Sequence, residues 1–251
     1  MFLTRGTVRI PAVFSKLEAA RMVDSIWKLL EESSGFLRDD PSTWTEKQPT
    51  GFQSLTRKNV FNAIASTIVV DALDDLLGNA QWTSTKAWGV PLVTFPEIGR
   101  VWDVPQNQWH LDFLARGDTH RLPGIRVLAF IADVEPSGGG TVIVAGSHRL
   151  VGNLVETGQA HGGHSTTVRD ALATSYPWFR ALWSNTSETS NRTRRFVETS
   201  ESIDGMELRV EELTGTPGDV ILMHPWTFHA PAPNCGRTPR MMVSHSVYRK
   251  K

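Results

Sequence analysis

Gly218-Asp219-Val220-Ile221-Leu222-Met223-His224-Pro225-Trp226-Thr227-Phe228-His229 is the stretch on which the fold and the chemistry of this chain turn. Gly218-Asp219 marks a turn, Val220–Met223 reads as a short apolar strand, and two imidazoles follow it. Eleven residues past His229, Arg240 opens the run Arg-Met-Met-Val-Ser-His-Ser-Val. As the next strand, antiparallel to that of His229, this run points the guanidinium into the same interior. A buried arginine requires an anion, because an unpaired buried charge is expensive. A dicarboxylate cosubstrate can supply it, with one end on a metal and the far carboxylate in a bidentate arginine contact.

Upstream stands Trp109-His110-Leu111-Asp112. Residues two apart on an extended strand share a face, so His110 and Asp112 can reach one cation. A second imidazole from the later strand completes two histidines and one carboxylate. That set leaves three positions open on an octahedral ion, the arrangement diagnostic of non-haem Fe(II) oxygenases. His224 and His229 compete for the last ligand position. They lie five residues apart and face opposite ways on an uninterrupted strand, although Pro225 can bend the path.

The surrounding chain changes texture along its length. Ser15 and Glu18 form a capping-box pattern, and Leu17, Val23, Ile26, Trp27 and Leu30 follow at helical spacing, which predicts a helix over about 16–32. A second helical pattern covers about 60–77 and stops at Gly78. Short β-rich runs then predominate: 82–88, 91–95, 125–133, 141–144, 208–213, 219–224 and 240–248. Helices first and strands later indicate an α+β domain or a β-barrel flanked by helices. The chain of 251 residues reads as one domain, with a helical region at about 15–78 and a lid or insert at about 155–205. Within the latter, 184–204 is polar, and Arg192, Arg194 and Arg195 form a basic cluster read mainly as a solvated loop.

Composition closes off several classes. Lysine plus arginine equals aspartate plus glutamate at 26 each, so bulk positive charge for nucleic-acid binding is absent. A lone cysteine, Cys235, excludes an internal disulfide framework and a cysteine-based zinc module. No apolar run approaches the roughly 20 residues a spanning helix needs, and the first residues lack a secretory pattern. A cytoplasmic protein acting on a small molecule, without membrane or nucleic-acid partners, is the expectation. Gly138-Gly139-Gly140 has no Gly-Lys-Ser/Thr ending to make it a phosphate loop.

The combined motifs resemble the phytanoyl-CoA dioxygenase family of Fe(II)/2-oxoglutarate oxygenases. The matching pieces are Trp109-His110-x-Asp112, Ser137-Gly138-Gly139-Gly140-Thr141, Gly146-Ser147-His148-Arg149, Gly218-Asp219, His229 with Pro233-Asn234, and Arg240. The resemblance implies a mainly β, double-stranded β-helix fold, a jelly-roll or cupin-like barrel with helices on its flanks. It selects His229 over His224, since the family places the ligand before Ala-x-x-Pro-Asn. It further implies that His110, Asp112 and His229 ligate Fe(II), that Arg240 holds the distal carboxylate of 2-oxoglutarate, and that Thr141 assists at the cosubstrate. O₂ would be the co-reactant, hydroxylation the commonest outcome, and His148 structural. Related halogenases replace the carboxylate by a small residue, so Asp112 disfavours halogenation. Desaturation, epimerisation and cyclisation use the same centre. A small-molecule-binding barrel with a decayed site would not be expected to keep all of these residues.

Overall fold

The computed structural model describes residues 1–83, 86–184 and 192–250. The elements run α1 (Phe2–Arg5), β1 (Thr7–Ile10), α2 (Lys16–Ser34), α3 (Gln53–Arg57), α4 (Thr67–Leu77), β2 (Val90–Thr94), β3 (Gly124–Phe130) and β4 (Thr141–Ala145). They continue with α5 (Ser147–Glu156), α6 (Ser165–Ser175), α7 (Pro177–Leu182), β5 (Glu201–Ile203), β6 (Met206–Glu212), β7 (Val220–Met223), β8 (His229–Pro231) and β9 (Arg240–Tyr248). One antiparallel sheet has the order β1-β7-β3-β9-β2, and a second has the order β5-β6-β4-β8.

Strand parity divides the core into three layers, because successive side chains leave opposite faces of a strand. Leu128, Phe130, Ile221, Met223 and Met242 of the larger sheet meet Ile143, Ala145 and Leu213 of the smaller one in the space between them. The alternate residues Ile125, Val127, Ala129, Val220, Leu222, Met241 and Val243 pack outward with Ile26, Leu30, Val69 and Leu73 of α2 and α4. Val142, Val144, Leu208, Val210 and Ala230 pack outward with Leu150, Leu172, Phe179 and Leu182 of α5, α6 and α7. The protein is thus mainly β with flanking helices, its two sheets facing each other as in a double-stranded β-helix. Among the described residues no backbone pairing closes the sheets into a continuous barrel.

The capping box forms as predicted. Ser15 Oγ accepts from the Glu18 N–H, and the Glu18 carboxylate accepts from the Ser15 N–H at 2.8 Å. α2 extends two residues past the predicted end, to Ser34, and stops where Gly35 adopts φ 69°. The helix expected at 60–77 begins only at Thr67; a single 3-10 turn, Asn62–Ile64, precedes it. The run 82–88 forms no strand among the described residues and contributes one bridge, Trp82 to Arg249; positions 84–85 lie outside the description. Ser147 and His148 sit on helix α5.

In the middle of the chain, residues 185–191 of the polar stretch lie outside the described residues. The described part is not uniformly solvated. Arg192 is 2 % exposed. Its guanidinium donates to the carbonyls of Val104, Pro105, Ala181 and Leu182, at 2.7 to 3.2 Å. It pins α7 to the chain that leads into His110, and it is not a surface charge awaiting an anion.

Candidate metal centre and cosubstrate cavity

His229 opens β8, whose neighbour is β4, with Ile143 opposite His229 and Thr141 opposite Pro231. On its other side His229 bridges to His110: the His110 N–H donates to the His229 carbonyl at 2.9 Å, and the His229 N–H donates to the His110 carbonyl at 3.1 Å. His110 is therefore held by one reciprocal pair and not by a full strand. The pair still places the two rings together, with centroids 4.2 Å apart. Asp112 comes in two residues later. One ligand atom from each of His110, Asp112 and His229 lies within 4.8 Å of the others.

The aim of each imidazole is fixed from behind. His110 Nδ1 lies 2.8 Å from the Gln108 carbonyl, and His229 Nδ1 lies 3.0 Å from the Thr227 carbonyl. A carbonyl only accepts, so each Nδ1 carries the proton and each Nε2 lone pair points at the shared centre. His229 Nε2 is 3.3 Å from Asp112 Oδ2, and His110 Nε2 is 3.9 Å from Asp112 Oδ1. Burial works to raise the Asp112 pKa, but His229, Arg126 and His110 outweigh it and hold the carboxyl at about 2. Burial and the adjacent His229 lower the pKa of His110. One carboxylate and two imidazoles are the donor set of an N₂O metal centre.

These side chains open into a cavity of about 500 Å³ whose walls include His110, His229, Arg126, Leu128, Thr141 and Arg240. β9 pairs with β2 so that Thr94 faces Arg240, and parity with Met242 turns Arg240 inward. Arg240 is 4 % exposed. It donates to Thr94 Oγ1 at 2.7 Å, while its Nε and Nη1 have no hydrogen-bond partner among the described residues. Burial lowers its pKa to about 10, against the pull of Glu212, so it remains charged at neutral pH. A buried cation with two idle donors on a cavity wall calls for a carboxylate. The donors present thus suit both a divalent ion and a keto diacid.

The remaining motifs hold this frame in place. Gly139 has φ 82°, and a Cβ there would stand 2.8 Å from the Asn234 side chain. Asn234 donates to the carbonyls of Thr94 and Thr238, tying the β8–β9 connection to β2. Glu212 accepts from the Ser137 and Gly140 N–H groups. His224 lies outside the cluster: its Nδ1 accepts from the Trp226 N–H, and its ring lies tilted beside that of His148.

A model of the phytanoyl-CoA dioxygenase family matches residues 2–242. The chain belongs to this family. It is therefore a 2-oxoglutarate-dependent non-haem iron oxygenase, with iron, 2-oxoglutarate and O₂ as the reactants of its class. No curated protein matches its sequence. Similar solved structures include HygX from Streptomyces hygroscopicus with nickel and 2-oxoglutarate bound, at 16 % identity and TM-score 0.53, covering 100 % of this chain and 84 % of that one. EvdO2 from Micromonospora carbonacea var. aurantiaca, complexed with 2-oxoglutarate, is 15 % identical with TM-score 0.55, over 100 % and 88 % of the two chains. The epimerase SnoN from nogalamycin biosynthesis is 16 % identical with TM-score 0.53, over 99 % and 79 %. At these identities the likeness concerns the fold. No helix among the described residues of this family member is long and apolar enough to cross a membrane.

Sequence reading overlooked Arg126. It stands on β3 with its Nε 3.1 Å from Asp112 Oδ2. The signal was available: Arg126 shares strand parity with Leu128 and Phe130, and a charge on the inward face of a strand is costly unless paired.

Proposed function

We propose that the protein hydroxylates an unactivated C–H bond of a small-molecule substrate, with succinate and CO₂ as co-products. His110, Asp112 and His229 hold the iron, Arg240 takes the distal carboxylate of 2-oxoglutarate, and the Thr141 hydroxyl assists at the cosubstrate. Bound iron, 2-oxoglutarate and O₂ supply the oxidising power. The protein's own residues supply aim and exclusion of water. The Gln108 and Thr227 carbonyls keep both imidazoles in the metal-ready tautomer. Asp112 stays ionised across the physiological range. Thr94 braces Arg240, whose Nε and Nη1 stay unpartnered among the described residues. Retention of Asp112 disfavours halogenation, because the carboxylate fills the position a halide would need.

The observation that supports this reading is that Arg240, with two unpartnered donors, lines the same cavity as His110 and His229, the latter beside Asp112. Anaerobic titration of the iron-loaded protein with 2-oxoglutarate tests it through the metal-to-ligand charge-transfer band. Arg240→Gln is expected to raise the 2-oxoglutarate concentration for half-saturation by about 10- to 100-fold, the cost of lost charge-assisted hydrogen bonds. An unchanged titration overturns the assignment of Arg240. A second reading, epimerisation or ring closure at the same centre, is favoured by fold neighbours that are an epimerase and a carbocyclase from nogalamycin biosynthesis. Product mass separates the readings: gain of one oxygen for hydroxylation, no change for epimerisation, loss of two hydrogens for ring closure.

A further inference from the structure

Arg126 has a built setting that the ligand roles alone leave unexplained. Across the β3–β9 pairing its partner is Ser246, and Arg126 Nη1 donates to Ser246 Oγ at 2.7 Å. Nε on the same guanidinium stands 3.1 Å from Asp112 Oδ2. The Arg126 side chain is 21 % exposed and that of Asp112 13 %, so the pair is largely shielded from water. Asp112 Oδ2 and Arg126 Nε are both buried and lack an aligned hydrogen bond among the described residues. They stand 3.1 Å apart, within hydrogen-bonding distance.

We propose that Arg126, braced by Ser246, is a positioning residue for Asp112: it holds one carboxylate oxygen and leaves the other as the single oxygen offered to the metal. This rests on the reading of His110, Asp112 and His229 as the metal centre. Two imidazoles, one carboxylate oxygen and the two donors of a chelating keto acid make five ligands on an octahedral ion, and one position stays free. A carboxylate binding through both oxygens fills that position. A short aspartate in a cavity swings between the two modes unless one oxygen is held. A planar guanidinium fixed at its other end by a hydroxyl on the neighbouring strand does this, and a flexible ammonium does it less well. Partners of metal ligands commonly govern metal affinity in this way.

The test uses the full-length metal-free protein titrated with Co(II), with folding checked by circular dichroism. Arg126→Gln is expected to weaken Co(II) binding about 10- to 100-fold, with Arg126→Lys in between and Ser246→Ala showing a smaller loss. In the infrared difference spectrum between Co(II)-loaded and metal-free protein, the separation of the antisymmetric and symmetric carboxylate stretches is wide for one-oxygen ligation. It is expected to narrow in Arg126→Gln. A folded Arg126→Gln protein with wild-type affinity and a wide separation overturns the proposal. So does one that keeps both and loses only substrate turnover, since Arg126 would then act on the substrate. Should Arg126→Gln fail to fold, Ser246→Ala carries the same two readouts, and wild-type values there overturn the proposal equally. If wild-type protein does not bind one Co(II), or binds it as well after His229→Ala, the metal-centre reading itself fails; a failure confined to Arg126 and Ser246 leaves that reading standing.

Discussion

The molecule holds two tilted pairs of neighbouring imidazoles, His110 with His229 and His148 with His224. Their ring centroids are 4.2 Å and 4.6 Å apart. Only the first is built to bind. There both Nδ1 atoms face backbone carbonyls and both Nε2 atoms converge beside Asp112. In the second pair, His148 Nε2 is taken up by the Leu3 carbonyl and His224 Nδ1 accepts from the Trp226 N–H. A cavity of about 640 Å³ adjoins that pair, yet no third ligand atom joins the two rings among the described residues. What distinguishes a ligand from a packed aromatic is therefore the direction its lone pair is held in, and whether a carboxylate shares the space. Histidine count does not tell them apart, and the more deeply buried pair is the one without a carboxylate.

Exchanging the two pairs in experiment gives the largest contrast. Asp112→Ala and His229→Ala should each abolish succinate formation, whereas His224→Asn should retain it within a few-fold. Succinate release measured on the three variants decides this, and wild-type turnover in Asp112→Ala would refute its role as a ligand. Next in size is a change aimed at the second pair alone. Gly6 sits at φ 81°, and a Cβ there would press on Thr227 Oγ1 and stand 2.7 Å from His148 Nδ1. Gly6→Ala is expected to cost about 2 kcal/mol in urea unfolding, from left-handed strain and crowding.

The smallest effect is in pH. Burial lowers the His148 pKa to about 4 and, with His148 alongside, lowers that of His224 well below the ordinary value. A histidine whose folded pKa is depressed binds more protons when unfolded. It therefore contributes stability fully above about pH 6.5 and loses it as pH falls toward 4. Each such histidine should lower the unfolding free energy by roughly 1 kcal/mol per pH unit below about pH 6.5. His148→Phe should flatten that slope, and an equally steep slope in the variant would show that other groups carry it.

Local signals made much of this readable. The Ser15–Glu18 box lies within one helical turn. Residues two apart share a sheet face, so once 240–248 is read as a strand Arg240 turns inward with Met242. The His110-x-Asp112 spacing works in the same way. By contrast, His224 and His229 were indistinguishable on residues alone, because their roles depend on where β8 starts, and that is set by pairing with Ile143 and the bridge to His110. The run 82–88 has strand composition but finds only a bridge, since strand formation requires a partner and not merely a propensity. Arg192 reads as a loop cation until four distant carbonyls are seen to surround it.

The linear sequence thus determined the inventory of this protein: two histidines and an acid at ligand spacing, an arginine at the right parity, and the glycine and asparagine motifs of its family. Tertiary structure decided that the imidazole the family pattern selected meets His110 and Asp112, that Arg240 keeps two idle donors, and that Arg126 reaches Asp112 from β3. The reason is physical. Spacing and parity act over a few residues, whereas the aim of a lone pair and the desolvation of a charge are set by atoms far away in the chain.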